Sequence, residues 1–256
     1  MYGNNRRINL VLPVMLMTGV SAIAADNTAV DDYPHVEEIV QQLEENRTFS
    51  SRIEATMTIE DRFGKRVSAM ISWSRGAEEF LIEFTSASEI GQKVLRTSDE
   101  IYLYYPDAAE LIRLQGQALR ESMLGSDVSY EDLTGGRTLL DTYFAVLQGC
   151  ETINGHDTWR VSLEARTSDV AYPGQVIWID TELHVSRRTE LYSLNGRLLK
   201  TIVYDRIEEI DGHWIPMRSV ISDELRQHSS TTIEIDSAEI GLTLDDNVFS
   251  LEELSW

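Results

Sequence analysis

Few residues of this 256-residue chain are grouped in a way that could do chemistry. The five histidines, His35, His156, His184, His213 and His228, are scattered, and several fall at turn signals. Only His213, beside Trp214 after an Asp-Gly turn, stands where a functional ring would be sought. Glu208 and Glu209 are neighbours on a strand pattern, so they point to opposite faces and cannot form a dyad. The acidic runs at Val30 to Asp32 and Leu244 to Asn247 lack the spacing of a calcium loop. Gly135-Gly136 in "LTGGRT" could hold an anion at a helix start, but two glycines make no phosphate motif. The chain has no G-x-S-x-G, P-loop, H-E-x-x-H or C-x-x-C. The expectation is a protein that is not an enzyme, with no cofactor and no metal. The single Cys150 cannot form an internal disulfide and reads as a small core residue.

The elements around these residues are mostly strands. "PHVEEIVQQLEEN" places Val36, Ile39, Val40 and Leu43 on one helical stripe behind Pro34. After it the apolar period switches to two. Ile53, Ala55, Met57 and Ile59 share one face of "RIEATMTIE", and Val67, Ala69, Ile71 and Trp73 share one face of "RVSAMISW". "DRFGK" joins them as a hairpin. "EEFLIEF" follows, with Phe80, Ile82 and Phe84 on one face, and "QKVLRTSDEIYLYYPDAAELIRL" reads as three short strands. Trp159, Val161 and Leu163 alternate in the second half, followed by "GQVIWID" and a meander whose Asn195-Gly196 and Asp211-Gly212 are strong hairpin signals. The expected architecture is mainly β with some helix: an antiparallel barrel or sandwich of about ten or eleven strands.

Helical character also marks the region from Leu119 to Leu147. Within it, "LRESMLGSDVSYEDL" has an apolar first part, breaks at Gly125 and restarts at Ser129.

The N-terminus reads as an export signal. Arg6 and Arg7 precede "INLVLPVMLMTGVSAIA", and Ala22-Ile23-Ala24 is an A-x-A cleavage site. Residues 1–24 are therefore expected to be a signal peptide, residues 25–33 a flexible N-terminus, and 34–256 a single domain in the periplasm of a Gram-negative cell. The net charge of −21 argues against nucleic acid and against anionic lipid surfaces, and favours solubility or a basic partner.

Alternating strands that curl round place their apolar faces inside, where they meet either helices of the same chain or a cavity suited to acyl chains. In order along the chain come "FSSRIEATMTI", "ISWSRG", "FLIEFTS" and "KVLRTSDEIYLYYPDAAELIRL". "MLGSDVSYEDL", "VIWID", "NGRLLKTIVYDRIEEIDGHWIPMR" and "FSLEEL" follow. This order resembles the LolA-like superfamily, and within it the outer membrane lipoprotein-sorting protein group, over about residues 34–256. The resemblance implies an unclosed barrel with a helical lid or plug over its mouth. It implies a periplasmic carrier that holds lipid or lipoprotein acyl chains and moves them towards the outer membrane. An RND-type inner-membrane exporter and an outer-membrane acceptor are the implied partners, with the carrier a monomer. The alternative is a lipid- or lipoprotein-sensing module without transfer.

The expected cavity lining, from strand alternation, is Met57, Ile59, Ile71, Trp73, Phe80, Ile82, Phe84, Tyr102, Tyr104 and Trp178. The expected lid residues are Leu119, Met123 and Leu124, with Gly125 as hinge. The resemblance assigns Arg75, in "SWSRG", to the latch of the closed state. Gly76 stands where the family has Pro, and Tyr102 and Tyr104 replace a Trp-rich strand.

Overall fold

The computed structural model describes residues 34–47, 49–97, 100–134, 137–226 and 228–254. The expected signal peptide and flexible N-terminus, Gly135-Gly136, and Ser98-Asp99 in "QKVLRTSDEIYLYYPDAAELIRL" lie outside them.

One helix precedes the sheet: α1 spans Val36–Glu45, and Ile39, Val40 and Leu43 on its apolar stripe are buried. Six strands follow: β1 Ser51–Asp61, β2 Gly64–Arg75, β3 Glu79–Phe84, β4 Lys93–Thr97, β5 Glu100–Tyr105 and β6 Glu110–Leu114. The insert contains short 3-10 turns at Gly116–Arg120 and Met123–Gly125, then α2 Tyr130–Thr134 and α3 Leu139–Thr142. The second run is β7 Tyr143–Ile153, β8 His156–Ala165, β9 Gly174–Asp180, β10 Ser186–Tyr192, β11 Leu198–Ile210, β12 His213–Asp223 and β13 Ser230–Ile240. A 3-10 turn at Asp246–Phe249 and α4 Leu251–Leu254 close the described chain.

All thirteen strands join one sheet in the order β6-β5-β4-β3-β2-β1-β13-β12-β11-β10-β9-β8-β7. The strand pairings are antiparallel, and β6 and β7 are the two ends of an unclosed sheet. The long-range step is β1 against β13, which lets two meanders share one sheet. The sheet carries more strands than the sequence pattern predicts. One reason is β7. Leu139, Leu140, Tyr143, Val146 and Leu147 recur at helical spacing, yet from Tyr143 on the backbone is extended against β8. Pairing with a neighbour outweighs that local period.

Turn chemistry follows the sequence more closely. Asp211 and Gly212 both have positive φ, 48° and 83°, as the tight turn between β11 and β12 requires. "DRFGK" is the β1–β2 hairpin, with Asp61 paired to Gly64.

The two faces of the sheet carry different cover. On one face Ala55, Met57 and Ile59 of β1 join Met70, Ile82, Phe84, Val94, Ile101 and Leu103, sealed by Met123 of the insert. Further round the same face, α1 packs on Tyr143, Val161, Leu163, Ile177 and Ile179. On the opposite face the C-terminal segment lays Phe249 and Leu254 on Leu81 and Leu95, with Trp73, Tyr102 and Tyr104 beside them. Arg96 on β4 and Thr189 on β10 line one cleft although seven strand steps separate them. In a flat sheet that separation would be roughly 34 Å. The sheet therefore curls, with the face carrying α1 and the insert on its inside.

Candidate functional site

A cleft of about 450 Å³ opens on this inner face. Its floor comes from alternate residues of three neighbouring strands: Gln175 and Ile177 on β9, Thr189 and Leu191 on β10, and Ile202 and Tyr204 on β11. These six share a face because Thr189 pairs with both Ile177 and Ile202. One wall is the insert, through Leu119, Glu131 and Asp132. Another is the β8–β9 connection, through Asp169, Val170, Ala171 and Tyr172, and a third is Leu139, Thr142 and Tyr143. Arg47, Arg96 and Arg137 also border it. The space thus has a mixed floor, apolar at Ile177, Leu191 and Ile202 and polar at Gln175, Thr189 and Tyr204, and a rim of both charges.

The walls are fixed by polar contacts. Ser129 Oγ accepts from the Asp132 amide at 3.1 Å, and Asp132 Oδ2 accepts from the Ser129 amide at 2.8 Å. This reciprocal cap starts α2 and explains why the helix restarts at Ser129. The same Asp132 carboxylate forms a buried ion pair with Lys200 of β11 and accepts from Tyr172 Oη at 2.8 Å. One carboxylate therefore ties together the insert, the sheet and the β8–β9 connection. Burial, reinforced by the negative Asp132 beside it, pushes the Tyr172 hydroxyl far above its ordinary range. Burial also raises the Glu131 carboxyl, although Arg120 and Arg96 pull it the other way.

The rest of the insert is pinned at its sharpest bend. Leu124 and Gly125 both have positive φ, 51° and 72°. Arg66 of β2 donates to the Leu124 carbonyl at 3.0 Å. Arg226, between β12 and β13, donates to the Gly125 carbonyl at 3.0 Å and to the Ser126 carbonyl. Met123 donates its amide to the Val128 carbonyl at 2.8 Å.

Half of the expected lining faces inward. Met57, Ile59, Ile82 and Phe84 are buried in the inner cluster, and Phe80 packs against it. They form a packed core beside the cleft rather than its walls. Ile71, Trp73, Tyr102, Tyr104 and Trp178 are on the outer face and are corrected here. On β2, Met70 pairs with Phe84 and so faces inward, which turns Ile71 and Trp73 outward. Tyr102 pairs with Leu95 under the C-terminal segment, and Tyr104 shares that face. Trp178 lies between the guanidinium groups of Arg160 and Arg188, and its Nε1 donates to Glu151 at 2.7 Å. Its neighbour Ile177 is the one that reaches the cleft.

The expected lid residues divide as well. Leu119 lines the cleft, Leu124 packs on the inner cluster, and Met123 is 0% exposed within that cluster. In this structure Met123 is a plug. Arg75 sits on the outer face, where its guanidinium binds Glu79 and Asp246 (2.6 Å) and lies over the Phe249 ring. It fastens the C-terminal segment, while Lys200, Arg66 and Arg226 hold the insert. Cys150 is exposed on the edge strand β7 rather than in the core. His213 stacks obliquely on Phe49, with centroids 5.0 Å apart.

In "GQVIWID" the inward phase is that of Gln175 and Ile177, one residue off the phase of the expected Trp178. Thr189 and Leu191 pair with Ile177 and Gln175, and Ile202 pairs in turn with Thr189, so the floor follows from the register of three strands. Among the described residues, no group of three or more His, Cys, Asp or Glu side chains could hold a metal ion.

Comparisons with known proteins place this geometry. A family model described as "-like: Uncharacterized protein" matches residues 76–256. No curated protein matches the chain. The fold is similar to that of a DUF1329 family protein from Desulfovibrio piger, with a TM-score of 0.78 and 24% identity over 86% of this chain and 98% of that one. It is similar to a putative outer membrane lipoprotein-sorting protein domain from Vibrio parahaemolyticus, at TM-score 0.77 and 19% identity over 87% and 100% of the chains. A LolA superfamily protein from Nitrosomonas europaea gives 0.74 and 22% over 86% and 100%.

Proposed function

The chain belongs to the family whose model covers residues 76–256 and has the fold of the LolA superfamily, and from that premise we propose that it is a lipid or lipoprotein carrier of the periplasm. One observation carries this reading: the inner-face cleft, with Ile177, Leu191 and Ile202 forming the apolar half of its floor and with Arg96, Arg137 and Glu131 as charged groups around it. Its volume is within the range of small-molecule sites. The floor suits acyl chains, since each buried methylene contributes about 0.8 kcal/mol. The rim suits a headgroup that carries charge.

No step of carriage needs covalent chemistry. Cargo enters the cleft, is shielded from water, and leaves to an acceptor that binds it more tightly. Export through a signal peptide at residues 1–24 would place the chain in the periplasm, acting as a monomer. Movement towards the outer membrane, loaded by an RND-type inner-membrane exporter, is the route the resemblance favours. The acidic exterior would then dock on basic surfaces of donor and acceptor.

The test is gentle isolation of the protein from its native periplasm, followed by lipid extraction and mass spectrometry. A stoichiometric phospholipid or acylated peptide is expected. Ile202→Lys, which puts a charge in the floor, should reduce it severalfold. A folded protein that holds no lipid and takes none from vesicles would overturn the carrier reading.

A further inference from the structure

The two rims of the curled sheet are unlike. Strand pairing assigns every connection to one rim or the other. Asp61 pairs with Gly64 and Glu60 with Ser230, so the β1–β2 turn and the β12–β13 turn share a rim. Lys200 pairs with Asp223, and Gly174 with both Glu164 and Tyr192, which adds the β10–β11 and β8–β9 connections. Met70 pairs with Phe84 at the end of β3, and Lys93 with Tyr104, so the β3–β4 and β5–β6 connections open towards the same rim, set back by six residues of β2 from the β1–β2 turn. The turns at Gly76, Asn154-Gly155, Thr181 to His184 and Asp211-Gly212 are at the opposite rim.

Large apolar side chains stand out at the tips of the first rim. Phe63 is 83% exposed in the β1–β2 turn, Ile90 is 66% exposed before β4, Leu194 is 88% exposed before β11, and Leu225 is 52% exposed before β13. Among the described residues, no large exposed hydrophobic side chain is in a connection of the opposite rim. An isolated exposed Leu needs no explanation, but four on separate hairpins at one rim do. None of them is needed by the core.

We propose that this rim is a docking surface for a lipid bilayer, with Phe63, Ile90, Leu194 and Leu225 dipping into the headgroup region. The four side chains come from four different connections, and a fluid interface can receive each independently. Local charge favours it at two of the four tips. The chain as a whole is strongly acidic at −21. Yet Arg62 lies over the Phe63 ring at 4.6 Å and Arg197 follows Leu194 in the same turn, whereas Ile90 and Leu225 follow Glu89 and Glu224 and Arg226 is turned to the insert. Arg62 and Arg197 offset the repulsion of the acidic body where their tips meet phosphate. Attraction then comes from apolar insertion more than from net charge, so the surface fits a zwitterionic bilayer.

The position of the rim gives the contact a purpose. Arg226, in the turn bearing Leu225, and Arg66, on β2 just past the turn bearing Phe63, grip the carbonyls of Leu124, Gly125 and Ser126. The β8–β9 connection at the same rim supplies Asp169 to Tyr172 to the cleft wall. A bilayer touching these tips would lie beside the plug and the cleft. That purpose rests on the carrier reading, but the contact itself is measured separately.

The test is flotation of the full exported chain with phosphatidylcholine vesicles, at low and high salt. Wild type should float with the vesicles in both salts. The double variant Phe63→Ser/Leu194→Ser should show a partition coefficient roughly ten- to hundredfold lower. A second variant, Ile90→Ser/Leu225→Ser, should fall similarly, and thermal melting of each confirms that it is folded. Extracted lipid should be unchanged in both variants. Wild type that stays with the soluble fraction, or variants that float as well as wild type, would overturn the inference. So would wild type that ignores vesicles yet is retained by native membranes through their proteins. A chain that floats but contains no lipid defeats the carrier reading alone, and one that contains lipid but does not float defeats the bilayer contact alone.

Discussion

Asp127 of the insert and Thr231 of β13 hold each other reciprocally: Thr231 Oγ1 accepts from the Asp127 amide at 2.8 Å and donates to Asp127 Oδ2 at 2.9 Å. Both residues are buried, and Ser229 donates a further bond to the same carboxylate oxygen. Thr231 pairs with Ile59 on the neighbouring strand, in the middle of the sheet. The insert is therefore stitched to the sheet at the seam between the two meanders.

Thr231→Val should remove one donor from a buried carboxylate and one acceptor from a buried amide. The expected loss is about 1–3 kcal/mol, read as a lower midpoint in urea unfolding with an unchanged slope. No change in midpoint would show that the insert is not held at this seam.

Lys200→Met should be more costly. It leaves the Asp132 carboxylate buried against Tyr172 with its cation gone. Breaking a buried pair from one side costs about 3 kcal/mol or more. Hydrogen exchange should show the extra opening at α2 and in the β8–β9 connection rather than across the sheet, because Asp132 joins those segments.

Met123 is fully buried in the inner cluster, so Met123→Asp should prevent folding rather than empty a cavity. Met123→Ala should destabilise by about 2–5 kcal/mol. Its lipid content, measured on the folded fraction, should stay near wild type, since Met123 packs in the core beside the cleft. A large loss of lipid with unchanged stability would return Met123 to the role of a lid.

Asp180 supplies a pH test. Burial pushes its carboxyl up, but the Leu183 amide, the Arg187 guanidinium and the Glu182 amide outweigh burial and hold it below the usual value of 3.8. A carboxyl lowered on folding contributes stability above its unfolded pKa and loses it as pH falls through the folded value. The stability gap between wild type and Asp180→Asn should therefore be full at neutral pH and shrink below about pH 3.8. A gap that stays constant down to pH 2 would contradict the assignment.

Arg75→Ala should loosen the C-terminal segment, which loses its bond to Asp246 and its stacking on Phe249. Limited proteolysis should cut near residues 244–254 faster, while bound lipid is unchanged. Loss of lipid without faster cleavage would favour the latch role that the family resemblance implies.

The chain order of elements could be read from local pattern. α1 follows from its apolar stripe behind Pro34, and the Asp211-Gly212 hairpin from residues that tolerate positive φ. The restart at Ser129 is legible because a Ser three residues before an acidic side chain caps a helix. Alternation also told correctly which residues share a face. Ile71 and Trp73 do lie together, as do Tyr102 and Tyr104, but on the outside of the sheet.

Which face became the inside was a tertiary decision. β2 to β5 are apolar on both faces: Met70, Ile82, Val94 and Leu103 pack under the insert, while Trp73, Leu81, Leu95 and Tyr102 pack under the C-terminal segment. A strand covered on both sides has no polar face to mark the outside, so its period cannot give its orientation. That choice depends on where residues 244–254 fold back, some 150 positions along the chain from β4, and on the β1–β13 pairing that joins the two meanders. The sequence determined most of the strands, the tight turns and the family pattern by itself, β7 being the exception. The curl that creates the cleft came only from long-range pairing, because a period of two records alternation and carries no information about curvature.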